Sequence, residues 1–223
     1  MSKNIFITAT GTDVGKTYVS ALIIKKMREA GLNCGYFKPV LSGVEEVGGK
    51  LTESDCNYVV KTAKIPVKPE ECVVYWWKEA VSPHLASKRA GEIIDIKKIK
   101  QAYEKKQKEY DYVLIEGAGG ITCPLRLVNG EKYLLKDLIK ELKSSIIIVA
   151  DGGLGTINSV VLTYEYAKSH NIETKGIIVN NFNPDSFMHQ DNLKQIEYLT
   201  GQKILATVEK GQKDIKLLNN VFV

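Results

Sequence analysis

Short runs of aliphatic and β-branched residues alternate along this chain with longer stretches whose apolar positions recur every three or four residues. NIFIT (4–8), CGYFKPV (34–40), YDYVLIEG (110–117), SSIIIVAD (144–151), KGIIVNN (175–181) and KILATV (203–208) have the length and residue types of strands, and several are apolar on both faces. A strand of that kind needs cover on two sides. Val19, Leu22, Ile23, Met27 and Ala30 make one helical stripe, and Ile96, Ile99, Tyr103 and Tyr110 make another. Strand, helix, strand, repeated in this way, predicts an α/β fold: a mostly parallel, twisted sheet with right-handed crossovers and helices on both faces. Ligands of such sheets gather at the carboxyl ends of the strands. No repeat, low-complexity tract or linker interrupts the series, so residues 1–223 read as a single domain.

Composition narrows the partners. The net charge of +5, from 31 basic and 26 acidic side chains, is small and interspersed, which argues against nucleic acid. The lysine-rich DIKKIKQAYEKKQKEY (95–110) keeps its apolar stripe and mixes in glutamates, as a solvated helix face does. Cys34, Cys56, Cys72 and Cys123 are far apart and form no C-x-x-C pair, so neither a zinc site nor a disulfide framework is indicated. Reduced thiols fit a cytoplasmic protein. No apolar run approaches the roughly 18 residues of a membrane span, and MSKNIFI lacks the apolar core and cleavage site of a signal peptide. The C-terminal KDIKLLNNVFV (213–223) is too short for a membrane-binding amphipathic helix. Trp76 and Trp77 have no basic cluster around them and read as packing residues, and the isolated His170 and His189 read as surface residues.

The chemistry begins at FITATGTDVGKT (6–17), where an apolar strand runs into glycines, a lysine and a threonine. A tight loop from Ala9 to Gly15 followed by a helix from Lys16 would aim backbone N–H groups and a helix dipole at one point, which suits a phosphate. In a P-loop, G-x-x-x-x-G-K-[ST], Lys16 reaches the terminal phosphates and the Thr17 hydroxyl holds magnesium. Thr10 stands where the first glycine belongs and Gly11 comes one place late, so the loop is a variant.

Two further strand ends carry polar groups, FKPVLSG (37–43) and LIEGAGG (114–120). Glu116 closes its strand where an acid would meet a metal held by Thr17. Lys38 precedes a proline, so its backbone is extended and its side chain leaves the strand end as a second cation for a transferring phosphoryl group. Asp55, in TESDCNYV, starts a helical pattern and has the residue type of an N-cap. Gly155 and Asn158, in GGLGTINS (152–159), lie at the start of another helical segment. That start reads either as a carboxylate cradle or as an ordinary helix beginning.

TATGTDVGKT, YFKPVLSG, SDCNYV, VSPHLAS, VLIEGAGG, GLGTIN and VNN, in this order, closely resemble the dethiobiotin synthetase family nearly end to end. The resemblance implies a P-loop NTPase fold and ATP-dependent closure of a ureido ring on 7,8-diaminononanoate with CO2 or bicarbonate. It also implies magnesium, and a homodimer with active sites at the subunit interface. By resemblance, Lys16 and Lys38 are catalytic cations, and Thr17, Asp55 and Glu116 hold the metal. The nucleotide falls to Thr12, Asp13, Val14 and Gly15 in the loop and to Gly117, Ala118 and Gly119 after the acidic strand. Asn180 reads adenine with Asn181 beside it, and Glu209 stands where the family usually has a loop proline. Thr12 and Ser42 match positions near the diamine, as does Asp13, which has an alternative role as a turn former. Gly155 and Asn158 match the stretch that takes the substrate carboxylate from the neighbouring subunit.

A rival class shares the variant loop: switch ATPases that partition DNA or position the division septum. Those usually carry a second lysine inside the loop, at the position held here by Gly11. A regulatory nucleotide-binding module is a third reading, but it gives no reason for Lys38 and Glu116 at strand ends.

Overall fold

The apolar runs form the middle of one sheet. A computed structural model describes residues 3–128 and 130–217. The chain runs β1 (Lys3–Ala9), α1 (Lys16–Glu29), β2 (Cys34–Ser42), a hairpin of β3 (Glu45–Val47) and β4 (Lys50–Glu53), α2 (Asp55–Thr62) and β5 (Val73–Trp77). There follow α3 (Pro83–Arg89), α4 (Ile96–Glu109), β6 (Tyr112–Glu116), a second strand pair of β7 (Pro124–Val128) and β8 (Glu131–Leu134), and α5 (Leu135–Glu141). The last third is β9 (Ile146–Asp151), α6 (Thr156–Ser169), β10 (Thr174–Asn180), α7 (Phe187–Thr200) and β11 (Ile204–Val208).

Seven strands pair in the order β11-β10-β9-β1-β6-β2-β5, and every neighbouring pair is parallel. All six strands expected from the sequence are among them. The seventh, β5, is an edge strand made by the segment that carries both tryptophans. Trp77 is buried and its indole N–H donates to Glu92 at 2.9 Å, while Trp76 packs half-buried against the core.

Strand alternation divides the core between two faces. Ile5, Ile7, Tyr36, Leu114, Ile147 and Val149 pack against α1 and α2, whereas Phe6, Phe37, Val113, Ile115, Ile146 and Ile148 pack against helices α3 to α7. Burial of each such side chain contributes about 1.5 to 3 kcal/mol. The period of two then decides where the strand-end polar groups point. Lys38 follows Tyr36 by two and Glu116 follows Leu114 by two, so both face α1 and α2.

Both helical stripes stop a residue early. Ala30 is the exposed C-cap of α1, and Tyr110 is the C-cap of α4, its ring lying so close to Gly35 that a Cβ there would sit 2.4 Å away. His170 and His189 are half-buried instead of exposed: His189 Nδ1 accepts from the Asn183 N–H at 3.1 Å and its ring covers Gly152. All four cysteines are free thiols. Among the described residues no helix is long and apolar enough to cross a membrane, and residues 218–223 of the C-terminal stretch lie outside the described residues.

Candidate active site

The loop after β1 turns through two left-handed residues, Asp13 at φ 59° and Gly15 at φ 92°. Asp13 therefore does act as a turn former, a conformation that an aspartate tolerates. Gly15 has a stricter reason: a Cβ there would lie 2.1 Å from Asn180 Nδ2. That amide donates to the Val14 carbonyl at 3.1 Å and pins the loop to the end of β10. Among the described residues no side chain caps α1, and its first turn holds no acid. Its leading amides are left for an anion.

Lys16 arches back over the loop and donates to the Gly11 carbonyl at 3.1 Å. Burial, and then the nearby Lys38 ammonium, lower its pKa from the ordinary 10.5, an effect that Glu116 and Asp55 only partly offset. A buried cation in that state gains from an incoming anion.

Glu116 is fully buried at the end of β6 and gathers three donors. Thr17 Oγ1 donates to Oε1 at 2.8 Å, Lys38 Nζ to the same oxygen at 2.6 Å, and Tyr36 OH to Oε2 at 2.9 Å. Lys38, only 3 % exposed, also pairs with Asp55 Oδ2 at 2.6 Å. Burial opposes charge on Lys38, yet Glu116 and Asp55 together carry its pKa above the ordinary 10.5. Burial likewise works to raise Asp55, but Lys38 outweighs it and holds the carboxyl below its ordinary 3.8. Asp55 is not the helix cap. Ser54 takes that role, its Oγ accepting from the Asn57 N–H at 3.2 Å, and this leaves the Asp55 carboxylate in the first turn of α2 free to face Lys38.

These groups border a cleft of about 570 Å³ lined by Thr12, Asp13, Gly15, Lys16, Thr17, Lys38, Ser42, Asp55, Ala118 and Gly119. Ten of the residues singled out in the sequence thus share one wall. Glu116 lies beneath that wall. Gly117 is packed so tightly that a Cβ would meet Leu135 at 2.6 Å, and its carbonyl lies 3.5 Å from Lys38 Nζ. Asn180 is buried behind Gly15, and its Oδ1 has no partner among the described residues. Asn181 turns away to Asp151 Oδ2 at 2.7 Å, and Glu209 is an exposed residue whose N–H donates to Gln212 Oε1 at 2.9 Å. Gly155, the left-handed cap of α6, and Asn158 are exposed and do not line the cleft. Cys123 sits beside Gly119, but burial pushes its thiol up to about 11, so it is no nucleophile at neutral pH.

Sequence reasoning missed three tyrosines. Tyr36 lay within an apolar run and read as core, although its place two residues before Lys38 puts it on the same strand face. Tyr18 and Tyr58 stack at the cleft, ring centroids 6.2 Å apart. They come from different helices, and no local pattern joins them.

The donor set fits magnesium. Two carboxylates and a hydroxyl, all hard oxygen ligands, converge where the Lys38 ammonium now balances their charge. Among the described residues no three His, Cys, Asp or Glu side chains come together. Such a site suits an ion that arrives with phosphate oxygens.

The profile of the AAA domain family matches residues 3–214. The ATP-dependent dethiobiotin synthetase BioD of Brachyspira hyodysenteriae is 51% identical over 100% of both chains. That of Clostridium botulinum strain Eklund 17B is 45% identical, over 97% of this chain and 95% of its own. Among solved structures, the MinD cell division protein of Aquifex aeolicus superposes with a TM-score of 0.54 at 17% identity, covering 95% of this chain and 84% of that one. A ParA family ATPase from Chlorobium tepidum gives 0.52 at 10%, covering 93% and 83%. These last two share the fold.

Proposed function

Because this chain belongs to the ATP-dependent dethiobiotin synthetase family, we propose that its cleft closes the ureido ring of dethiobiotin from 7,8-diaminononanoate, CO2 and ATP, releasing ADP and phosphate. The observation that carries this reading is the meeting of Lys16 and Lys38 at one cleft, beside the uncapped start of α1. One amine of the diamine takes up CO2 as a carbamate. A carbamate oxygen then attacks the γ-phosphorus of ATP and ADP leaves. The second amine attacks the carbonyl of the resulting mixed anhydride, expelling phosphate and closing the ring. Carbamate and triphosphate repel each other, so the chain's contribution is concentrated positive charge and in-line alignment. Lys16 and the α1 amides hold the β- and γ-phosphates, and Lys38 supplies the second cation. Thr12, Asp13 and Ser42 flank the diamine. Thr17, Asp55 and Glu116 would hold magnesium, which when bound neutralises the phosphate oxygens.

Adenine contacts Asn180, whose buried Oδ1, without a partner among the described residues, is an acceptor for the exocyclic amine. Glu209 borders it in place of the family's proline, and Val14, Gly117, Ala118, Gly119 and Asn181 complete the nucleotide side. Gly155 and Asn158 act in a homodimer. Leu154 just before α6 and Leu162 on it, 93% and 62% exposed, together with Phe187 and Tyr198 on the adjoining α7, leave apolar surface uncovered. A second copy covering that surface would receive the substrate carboxylate at the α6 start. The whole chain acts as one domain, in the cytoplasm, without nucleic acid or membrane. A switch ATPase of this fold would want a lysine where Gly11 stands.

The test is incubation with ATP, magnesium, the diamine and ¹³C-bicarbonate, followed by mass spectrometry. Labelled dethiobiotin and an equal amount of ADP are expected, with no ADP when the diamine is left out. ADP release that ignores the diamine and responds to DNA or lipid vesicles would overturn the reading.

A further inference from the structure

We propose that Tyr36 is a positioning residue for the metal: it holds Glu116 so that one chosen carboxylate oxygen faces Thr17 and the cleft. This rests on the reading of Thr17, Asp55 and Glu116 as the magnesium site. The argument starts from a carboxylate with two chemically equal oxygens, fully buried at the end of β6. Free to rotate about its last torsion, it would present either oxygen, and the group is broad and roughly two-fold in that angle. The structure breaks the symmetry. Oε1 receives Thr17 and Lys38, both of which line the cleft, while Oε2 receives the Tyr36 hydroxyl at 2.9 Å, and Tyr36 does not line it. Among the described residues Tyr36 is the one donor to Oε2. Its ring is locked in turn, being 1% exposed in the core between β2 and α1.

The strand period explains why one residue can do this. Tyr36 and Lys38 are two apart on β2, so they project to the same side and meet Glu116 on adjacent β6 from two levels. Lys38, nearer the end of β2, donates to Oε1, and Tyr36, two residues earlier, donates to Oε2. A phenylalanine would fill the same space while leaving Oε2 without a donor.

The experiment follows Mn²⁺ binding by electron paramagnetic resonance in the presence of a non-hydrolysable ATP analogue. The proteins are wild type, Y36F, E116Q and the double variant E116Q/Y36F. Wild type should bind the ion, and Y36F should bind it about 10- to 100-fold more weakly, the range for lost support behind a ligand. In turnover assays the magnesium concentration for half-maximal rate should rise by the same factor, while kcat at saturating magnesium and the KM for the diamine stay near wild type. If Tyr36 merely filled the core, Y36F would leave Mn²⁺ affinity unchanged, which overturns the proposal. The double variant closes the cycle: the loss caused by Y36F in wild type should vanish in the E116Q background, and a loss of the same size there overturns the proposal. Should Y36F fail to fold, Y36H, which returns a ring N–H donor, should keep Mn²⁺ affinity well above that of E116Q, and an affinity as weak as that of E116Q overturns it. Wild type that binds no Mn²⁺ with the nucleotide analogue would instead overturn the metal reading underneath.

Discussion

Lys38 has a double environment: it is a cation for the cleft and also the counter-charge of two acids. Its removal has two expected effects. Lys38→Met should cut turnover by roughly 10²- to 10³-fold, the loss seen when one preorganised donor to a developing charge is deleted, checked by steady-state ADP release. It should also lower unfolding free energy by about 3 to 5 kcal/mol, because Glu116 and Asp55 lose the ammonium between them, checked by urea titration. The acid side of the stability profile follows from Asp55. Its folded pKa is below the ordinary 3.8, so its contribution is complete above that pH and is lost as the pH falls through the lower folded value. The stability gap between wild type and Asp55→Asn at neutral pH should therefore close on acidification below 3.8; a gap that stays constant in urea titrations would remove the Lys38 pairing as its cause. At this scale the sequence was readable where a polar residue interrupts an apolar run, as Glu116 and Lys38 do. Tyr36 was hidden because a tyrosine inside CGYFKPV looks like any core aromatic. For Asp55 a cap reading stayed open beside the metal role because Ser54 and Asp55 are both capping residue types, and only geometry shows which one takes the place.

Among elements, the loop between β1 and α1 is the most constrained. Gly15 combines a left-handed backbone with contact against Asn180, so Gly15→Ala would incur about 1 to 2 kcal/mol of backbone strain as well as a clash at 2.1 Å. Displacing the loop from Asn180 should weaken ATP binding by about tenfold or more, each tenfold being about 1.4 kcal/mol. Isothermal titration with a non-hydrolysable analogue measures it. The long central strands were legible because burial on two faces writes an uninterrupted apolar run. β5 was not: VVYWW at a sheet edge has only five residues and a mixed burial pattern. The two short strand pairs, β3 with β4 and β7 with β8, escaped for a related reason. They pair only with each other and bury too little to leave an alternating signature.

The molecule as a whole leaves apolar side chains uncovered on α6 and α7, next to a helix start that does not line the cleft of Lys16 and Lys38. Leu162→Asp should shift the protein from dimer to monomer in size-exclusion chromatography with light scattering, and activity should fall with it; an unchanged mass would remove the dimer from the reading. A second whole-molecule feature is the uneven helical cover of the sheet, with α1 and α2 on one face and five helices on the other. The sparse face is also where Thr17 and Asp55 reach toward β2 and β6. A nucleotide lying there would act as scaffolding, tying the packed pair of α1 and α2 to the strands beneath. Scarcity of the co-substrate should then be felt as shortened lifetime of the polypeptide, the empty form being cut faster than the loaded one in limited proteolysis.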